Sequence, residues 1–227
     1  MTYDLYIGNR TFSSWSLRGW LMLQNFNLPF REHEVDLFGG TMAGDMAPLA
    51  PARLVPALRT PEGDVIGESL AIAETLAERH PEAQMWPADP TARSRARWLC
   101  AEMASGFGAL RGECAMQLAH VDADFAPSDK VKADLARIET LWAFAREKAG
   151  DGPWLFGKYS LTDAFYAPVC ARIVGYNLPV SDAARAYCRT TLNDTAFRKW
   201  RREGLKHSYD PFPHPPVGRR DDWPVPE

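Results

Sequence analysis

Residues 3–24, YDLYIGNRTFSSWSLRGWLMLQ, decide the fold, because the spacing of the apolar residues changes along this stretch. Residues 3–7 alternate between apolar and polar side chains, a pattern that predicts a short β-strand. Gly8 and Asn9 favour a turn, and from Ser16 onward the apolar residues recur at helical spacing. The stretch therefore predicts a strand and a helix joined by an exposed loop.

The same two spacings continue as far as Pro81. We predict a strand, a loop with about one turn of helix, a pair of strands joined by a turn, and a helix, at residues 30–37, 38–51, 55–58, 64–66 and 69–80. Ser69 is expected to cap the last of these helices. A strand-helix-strand unit gives a parallel pair, and the hairpin adds antiparallel strands. Residues 1–82 are therefore expected to form an α/β domain of the thioredoxin-like kind.

Beyond residue 82 the sequence predicts only helices. The proline-spaced segment 83–91 is expected to be a linker, and residues 92–209 an all-helical domain. Helices are predicted where apolar residues recur every three or four positions, at residues 92–120, 130–148, 161–174, 181–191 and 194–206. Residues 210–227 contain six prolines and few aliphatic residues, which is typical of an extended tail that is packed on the surface or disordered.

Composition and charge argue against several classes of partner and cofactor. The chain has 227 residues, with 26 Lys and Arg against 29 Asp and Glu, so we expect no nucleic-acid or membrane partner. No apolar run approaches the roughly 20 residues that span a bilayer. The first residues lack the features of a signal peptide, so a cytoplasmic location is expected. The four cysteines form no CxxC pair and the five histidines are scattered, so we expect reduced buried thiols and no metal site.

The loop between the first strand and the first helix carries the first candidate site. Ser13 and Ser16 have the spacing of a CxxC redox pair, but their hydroxyls exclude dithiol chemistry there. A hydroxyl at a helix N-terminus can donate to a bound thiolate, which contributes about 1.5–3 kcal/mol and lowers the thiol pKa by about one to two units. The alternative is a serine-rich turn that only caps the helix.

Two further motifs supply candidate binding residues. A proline that opens a strand, as in Val55-Pro56, fits a cis peptide bond and leaves the Val55 backbone free to pair with an extended peptide ligand. The alternative is an ordinary loop proline. The Ser69 hydroxyl at a helix N-terminus is a candidate carboxylate site, beside which Glu68 is placed to pair with an ammonium. The alternative is a capped helix that follows an acidic residue.

In this order, the motifs resemble those of the cytosolic glutathione transferases. The Ser-Ser-x-Ser-x-Arg start at residues 13–18 is most similar to the zeta class, which is known for isomerising maleylacetoacetate. The segment GKYSLTD at residues 157–163 is similar to the N-capping box of the family, in which Asp163 binds back to the Ser160 N–H. The resemblance covers the whole chain. It implies a glutathione-dependent enzyme that forms a homodimer and acts on an electrophilic small molecule.

The resemblance also implies roles for individual residues. It makes Ser13 the first candidate, and Ser14 the second, for the hydroxyl that donates to the glutathione thiolate. The residues that it implies for glutathione binding are Leu54, Val55, Pro56, Glu68 and Ser69. Of these, Val55 would pair through its backbone with the cysteinyl part, while Glu68 and Ser69 would hold the γ-glutamyl end. The residues that it implies for the second substrate are Phe12, Trp15, Met103, Phe107, Arg111 and Arg172.

Three positions depart from the zeta pattern. Trp15 stands where the motif has a cysteine, and Leu54 where a polar glutathione contact is common. Gly175 stands where the central helix carries an arginine for a diacid substrate, and Arg172 lies about one turn earlier. The sequence therefore leaves conjugation and isomerisation both open. The alternatives are a non-catalytic binding or dimerisation module and a glutathione-dependent lyase or reductase.

Overall fold

A mixed β-sheet organises the first part of the protein. The computed structural model describes residues 2–207 and 218–224, and within these residues the sheet has the strand order β2-β1-β3-β4. The strands are β1 (Tyr3–Ile7), β2 (Phe30–Glu34), β3 (Ala57–Arg59) and β4 (Val65–Ile66). β1 pairs in parallel with β2 and antiparallel with β3, which in turn pairs antiparallel with β4. The predicted strand-helix-strand unit and hairpin are confirmed.

Helices cover this sheet and place the candidate site at its edge. They are α1 (Ser14–Gln24), α2 (Met42–Met46) and α3 (Ser69–Arg79). α1 contacts β1 and α3, and Leu17 and Leu21 on its inner face are buried. A Cβ added to Gly19 would lie 2.8 Å from the Cβ of Pro56. The missing side chain at Gly19 therefore lets α1 pack directly on the residues that precede β3.

The second part of the protein is built around one buried helix. Its helices are α4 (Pro90–Ser105), α5 (Gly108–Glu113), α6 (Asp129–Arg146), α7 (Leu161–Gly175), α8 (Asp182–Asn193) and α9 (Thr195–Leu205). α7 contacts α1, α4 and α8, and nearly all of its residues are buried, as its apolar sequence predicts. The α1–α7 contact joins the thioredoxin-like part to the helical part, and it lies at the N-terminal loop that carries the serines.

The prediction of one long helix over residues 92–120 is wrong. α4 ends at Ser105, Gly106 is extended, and Phe107 has a left-handed backbone with φ of 58° before α5 begins. The apolar spacing continues across this break, which is why the pattern alone does not reveal it. The break turns the chain, so that Arg111 on α5 reaches back toward α1.

A short second sheet is present that the sequence did not predict. β5 (His120–Asp122) pairs antiparallel with β6 (Arg220–Asp222), and the following Trp223 is buried. Part of the predicted tail therefore forms a strand. Residues 210–217 and 225–227 of that tail lie outside the described residues.

Asp163 anchors the start of α7, as the capping-box motif predicts. Its carboxylate accepts hydrogen bonds from the Ser160 N–H at 2.8 Å and the Leu155 N–H at 3.1 Å. It also accepts from the Ser160 hydroxyl at 3.1 Å and the Tyr187 hydroxyl at 2.9 Å. Burial nevertheless raises the pKa of Asp163 to about 6. The side chain thus joins the loop before α7, the helix itself and α8.

Candidate active site

One cavity of about 740 Å³ brings together most of the residues singled out from the sequence. It lies between the start of α1, the residues before β3, the start of α3 and the α4–α5 break. The predicted residues that line it are Trp15, Leu54, Val55, Pro56, Glu68, Ser69 and Arg111. We call it the site cavity. Its lining also includes Arg53 and Ala104, which no sequence motif singled out.

Val55 presents its backbone to the site cavity. The Val55–Pro56 peptide bond is cis, as predicted. The pairing of β3 with β1 begins only at Ala57. Within the described residues, neither the N–H nor the carbonyl of Val55 has a hydrogen-bond partner. Both groups are therefore available to an extended peptide that adds alongside this edge.

Glu68 and Ser69 form the start of α3, but Glu68 rather than Ser69 holds the N-cap position. Glu68 is the N-cap and has φ of 61°, a backbone region that non-glycine residues seldom adopt. Ser69 is the first helical residue, so the prediction that it caps α3 is wrong. Its buried hydroxyl has no hydrogen-bond partner among the described residues. An unpaired hydroxyl beside free helix N–H groups fits a carboxylate.

Ser13 has the capping role that the sequence left as an alternative. Its Oγ accepts from the Ser16 N–H at 3.3 Å and donates to the Ser16 hydroxyl at 2.8 Å. The Ser16 Oγ also accepts from the Gly8 N–H at 2.9 Å. Ser14 has a different environment, because its Oγ accepts a 3.3 Å bond from Nη2 of Arg172. Both serines are buried.

A group of arginines surrounds Trp15 at the wall of the site cavity. The Arg18 guanidinium lies 4.2 Å from the centre of the Trp15 ring, and the Arg111 guanidinium lies 4.9 Å from it. Arg18 is 1% exposed, and its Nε and Nη1 have no partner in the described part of the chain. Burial, with Arg172 and Arg111 nearby, lowers the pKa of Arg18 to about 9. The cavity wall therefore carries positive charge that described carboxylates do not neutralise.

Arg18 is the residue of this group that sequence reasoning missed. It lies within the quoted serine-rich motif, but a lone arginine in an apolar helix gives no signal of its burial. The other predicted residues, including the candidate catalytic serines Ser13 and Ser14 and the candidate substrate contact Arg172, lie outside the cavity lining. Met103 and Phe107 are buried, and Phe107 is the left-handed residue between α4 and α5. Phe12 is half-buried in the loop before α1.

Metal and membrane features are absent from residues 2–207 and 218–224. No group of three or more His, Cys, Asp or Glu side chains there is arranged to hold a metal ion. None of the helices in those residues has the length and apolar character needed to cross a bilayer. All four cysteines are free and buried.

Comparison with known proteins shows which proteins this fold resembles. Residues 12–79 match the family model of the glutathione S-transferase N-terminal domain. A solved glutathione transferase homologue from Burkholderia gl BGR1, with bound glutathione, superposes with a TM-score of 0.66 at 24% identity and covers 92% of this chain and 100% of its own. Residues 12–79 are therefore similar to a glutathione S-transferase N-terminal domain, and the chain has the glutathione transferase fold.

Sequence relatives make the likeness more specific. A probable maleylacetoacetate isomerase from Caenorhabditis elegans is 36% identical over 114 residues, which are 50% of this chain and 52% of the relative. A maleylacetoacetate isomerase from Dictyostelium discoideum is 28% identical over 134 residues, 59% of each chain. The matched part of the chain thus spans between about half and three fifths of the relatives' lengths. Over about half of its length, the chain is thus similar to maleylacetoacetate isomerases.

Proposed function

We propose that the protein is a glutathione transferase that adds the glutathione thiolate to an electrophilic small molecule. The observation that carries this proposal is the site cavity, which places the unpaired backbone of Val55, the unpaired hydroxyl of Ser69 and the start of α1 around one space. A peptide with a carboxylate, an ammonium and a thiol matches these three parts in chemistry. Few other small ligands carry all three groups.

The glutathione-binding half of the cavity offers a partner for each polar group. The Val55 N–H and carbonyl pair with the cysteinyl main chain of the tripeptide. The γ-glutamyl carboxylate accepts from the Ser69 hydroxyl and the first N–H groups of α3. Glu68, which is exposed at the same helix end, binds the ammonium. Leu54, which is 65% exposed beside Val55, supplies an apolar contact in place of a polar one.

The other half of the cavity activates the thiol. A serine hydroxyl at the start of α1 donates to the thiolate, and the positive end of α1 adds to the stabilisation. The arginines around Trp15 raise the positive potential of the same wall. Together these groups lower the pKa of the bound thiol, so that a larger fraction is thiolate at neutral pH. The serine hydroxyl, the helix dipole and the arginines thus lower the thiol pKa before any bond to the electrophile forms.

The names of the sequence relatives favour glutathione-dependent isomerisation over simple conjugation. In an isomerisation, the thiolate adds to an unsaturated carbon, a bond rotates, and the thiolate leaves again. Of the second-substrate residues expected from the family resemblance, Trp15 and Arg111 line the cavity. Arg111 uses Nη1 for long bonds of 3.4 Å to backbone carbonyls, and we assign it contact with the electrophile.

We also propose a cytoplasmic homodimer. Four free, buried cysteines are compatible with a reducing compartment. Trp98 on α4 is 50% exposed, and we assign α4 to the proposed subunit contact. Sedimentation of the wild type and Trp98→Glu tests the dimer, since a charged residue at a subunit contact should shift the equilibrium toward monomer.

Titration of glutathione tests the proposed activity directly. The wild type is expected to bind glutathione with saturation at millimolar concentration, and the thiolate absorbance of the complex should give a thiol pKa about one to two units below that of free glutathione. S-methylglutathione, which lacks the ionisable thiol, is the control and should bind without the absorbance change. Absence of binding at millimolar glutathione would refute the proposal.

A further inference from the structure

A second cavity, of about 330 Å³, lies away from the site cavity. It is bounded by the C-terminal part of α7, by α8 and by the two-stranded sheet of β5 and β6. We call it the ribbon cavity. Within the described residues it shares no lining residue with the site cavity. A ligand in the ribbon cavity would therefore be held by groups that take no part in the proposed glutathione site.

The buried part of the ribbon cavity is apolar. Val121 on β5 and Ile173 on α7 are both buried and line the cavity. The half-buried Val174 lies beside them and also lines the cavity. Water gains no hydrogen bond from these side chains, so an apolar group that displaces the water is favoured. The ribbon cavity therefore selects a ligand with an apolar body.

Two arginines of α8 carry positive charge at the ribbon cavity. Arg185 and Arg189 both line it, and residues with this spacing are neighbours on one face of a helix. Among the described residues, neither guanidinium has an ion pair or a hydrogen bond. Like charges at this spacing repel each other and slightly destabilise the helix. A carboxylate between them would accept from both side chains and remove the repulsion.

The β5–β6 wall of the ribbon cavity carries negative charge. Asp221 and Asp222 line this wall, and Asp221 is paired with Nε of Arg219 at 3.1 Å. The Asp222 carboxylate has no partner in the described part of the chain. Asp222 and the two arginines thus line one cavity, yet no ion pair joins them. This arrangement fits a ligand that carries an anionic and a cationic group.

We propose that the ribbon cavity binds a small zwitterion with an apolar body, namely an α-amino acid with an aliphatic side chain. The ligand carboxylate accepts from Arg185 and Arg189, and the ligand ammonium binds Asp222. The aliphatic side chain packs on Val121 and Ile173. A volume of about 330 Å³ is at the lower end of the range for small-molecule cavities, which favours a single amino acid over a peptide.

Calorimetric titration with L-leucine tests the site, and three analogues test the features of the ligand. Isocaproate lacks the ammonium of leucine, isopentylamine lacks its carboxylate, and glycine lacks its apolar body. We expect leucine to bind at millimolar concentration and each analogue to bind at least about tenfold more weakly, which is the effect of one lost hydrogen bond to a charged group or of the lost apolar contact. Absence of leucine binding, or equal affinity for any analogue, would overturn the proposal.

Two substitutions assign the ligand charges to residues. Arg185→Gln should weaken the binding of leucine and of isocaproate alike, by about tenfold. Asp222→Asn should weaken leucine by a similar factor and leave isocaproate no weaker, because isocaproate has no ammonium. Neither side chain has a partner among the described residues, so both variants should keep the melting temperature of the wild type. Arg202→Gln, on α9 and outside the cavity lining, is the control. If Arg185→Gln bound leucine as tightly as this control, the proposal would be wrong.

A variant of the site cavity locates the bound leucine. The start of α3 is proposed to hold the γ-glutamyl end of glutathione, which is itself an α-amino acid group, so leucine could bind there instead. Glu68→Gln should weaken glutathione binding and leave leucine binding unchanged. Leucine binding that is lost in Glu68→Gln and retained in Arg185→Gln would place the ligand in the site cavity and overturn the inference. A wild type that binds leucine but not glutathione would refute the proposed function and support this inference.

Discussion

Replacing Asp163 with alanine is expected to lower the free energy of unfolding by about 3–5 kcal/mol. The carboxylate accepts from two backbone N–H groups, of Leu155 and Ser160, and from the Tyr187 hydroxyl. All of these donors are buried, so water does not replace the lost acceptor. Urea unfolding followed by far-ultraviolet circular dichroism measures the change. Asp163→Asn retains an acceptor and should lose less.

The loss of unfolding free energy in Asp163→Ala should depend on pH and be larger at low pH. Burial raises the pKa of Asp163 from its ordinary value of 3.8 to about 6, so between these values the folded protein binds more protons than the unfolded chain. The stability contributed by the protonated carboxyl is therefore lost as the pH rises through that window. The deficit of Asp163→Ala should be larger near pH 5 than near pH 7.5. A deficit that grows with pH would contradict this account.

Asp129→Asn is the matched control for loss of an acidic residue at a helix start. Asp129 is the first residue of α6, its side chain is 97% exposed, and it pairs with Lys132 on the surface. Its replacement should change the free energy of unfolding by no more than about 0.5 kcal/mol. A loss below about 1 kcal/mol for Asp163→Ala, close to that of this control, would show that the buried carboxylate does not anchor α7.

The sequence predicted the features of the site that depend on local pattern. Val55-Pro56, Glu68-Ser69 and the serine-rich start of α1 are each short stretches whose chemistry is set by neighbouring residues. The first two stretches line the site cavity, and the third contributes Trp15 to it but neither Ser13 nor Ser14. The thioredoxin-like order of strands and helices was predictable for the same reason. Local spacing determined each element, and the handedness of the crossover limited how they could be joined.

Features that depend on distant contacts could not be predicted. Arg172 is 158 residues from Ser14, and nothing in either stretch indicates the bond between them. β5 and β6 are short, polar strands whose pairing joins residues about a hundred positions apart. The break at Phe107 was hidden for a different reason, since apolar spacing persists through it while the backbone turns. Tertiary packing, rather than propensity, decides each of these cases.

Replacing Ser69 with alanine is expected to weaken glutathione binding by about 10- to 150-fold, the equivalent of one hydrogen bond to a charged group. The same substitution should leave the free energy of unfolding of the unliganded protein within about 0.5 kcal/mol of the wild type. The reason is that the buried Ser69 hydroxyl has no partner among the described residues, so the protein loses no hydrogen bond when it is removed. Calorimetric titration and urea unfolding measure the two quantities.

This separation of affinity from stability distinguishes a ligand-binding hydroxyl from a structural one. Ser94→Ala on α4 removes a hydroxyl that bonds to the Pro90 carbonyl at 2.9 Å, away from the site cavity, and it should leave the affinity unchanged. If Ser69→Ala bound glutathione as tightly as Ser94→Ala, the start of α3 would not hold the γ-glutamyl carboxylate. If it lost stability instead, the hydroxyl would serve the fold. An unpaired buried donor is tolerated where a ligand completes it, because the cost of burial is recovered when the ligand binds.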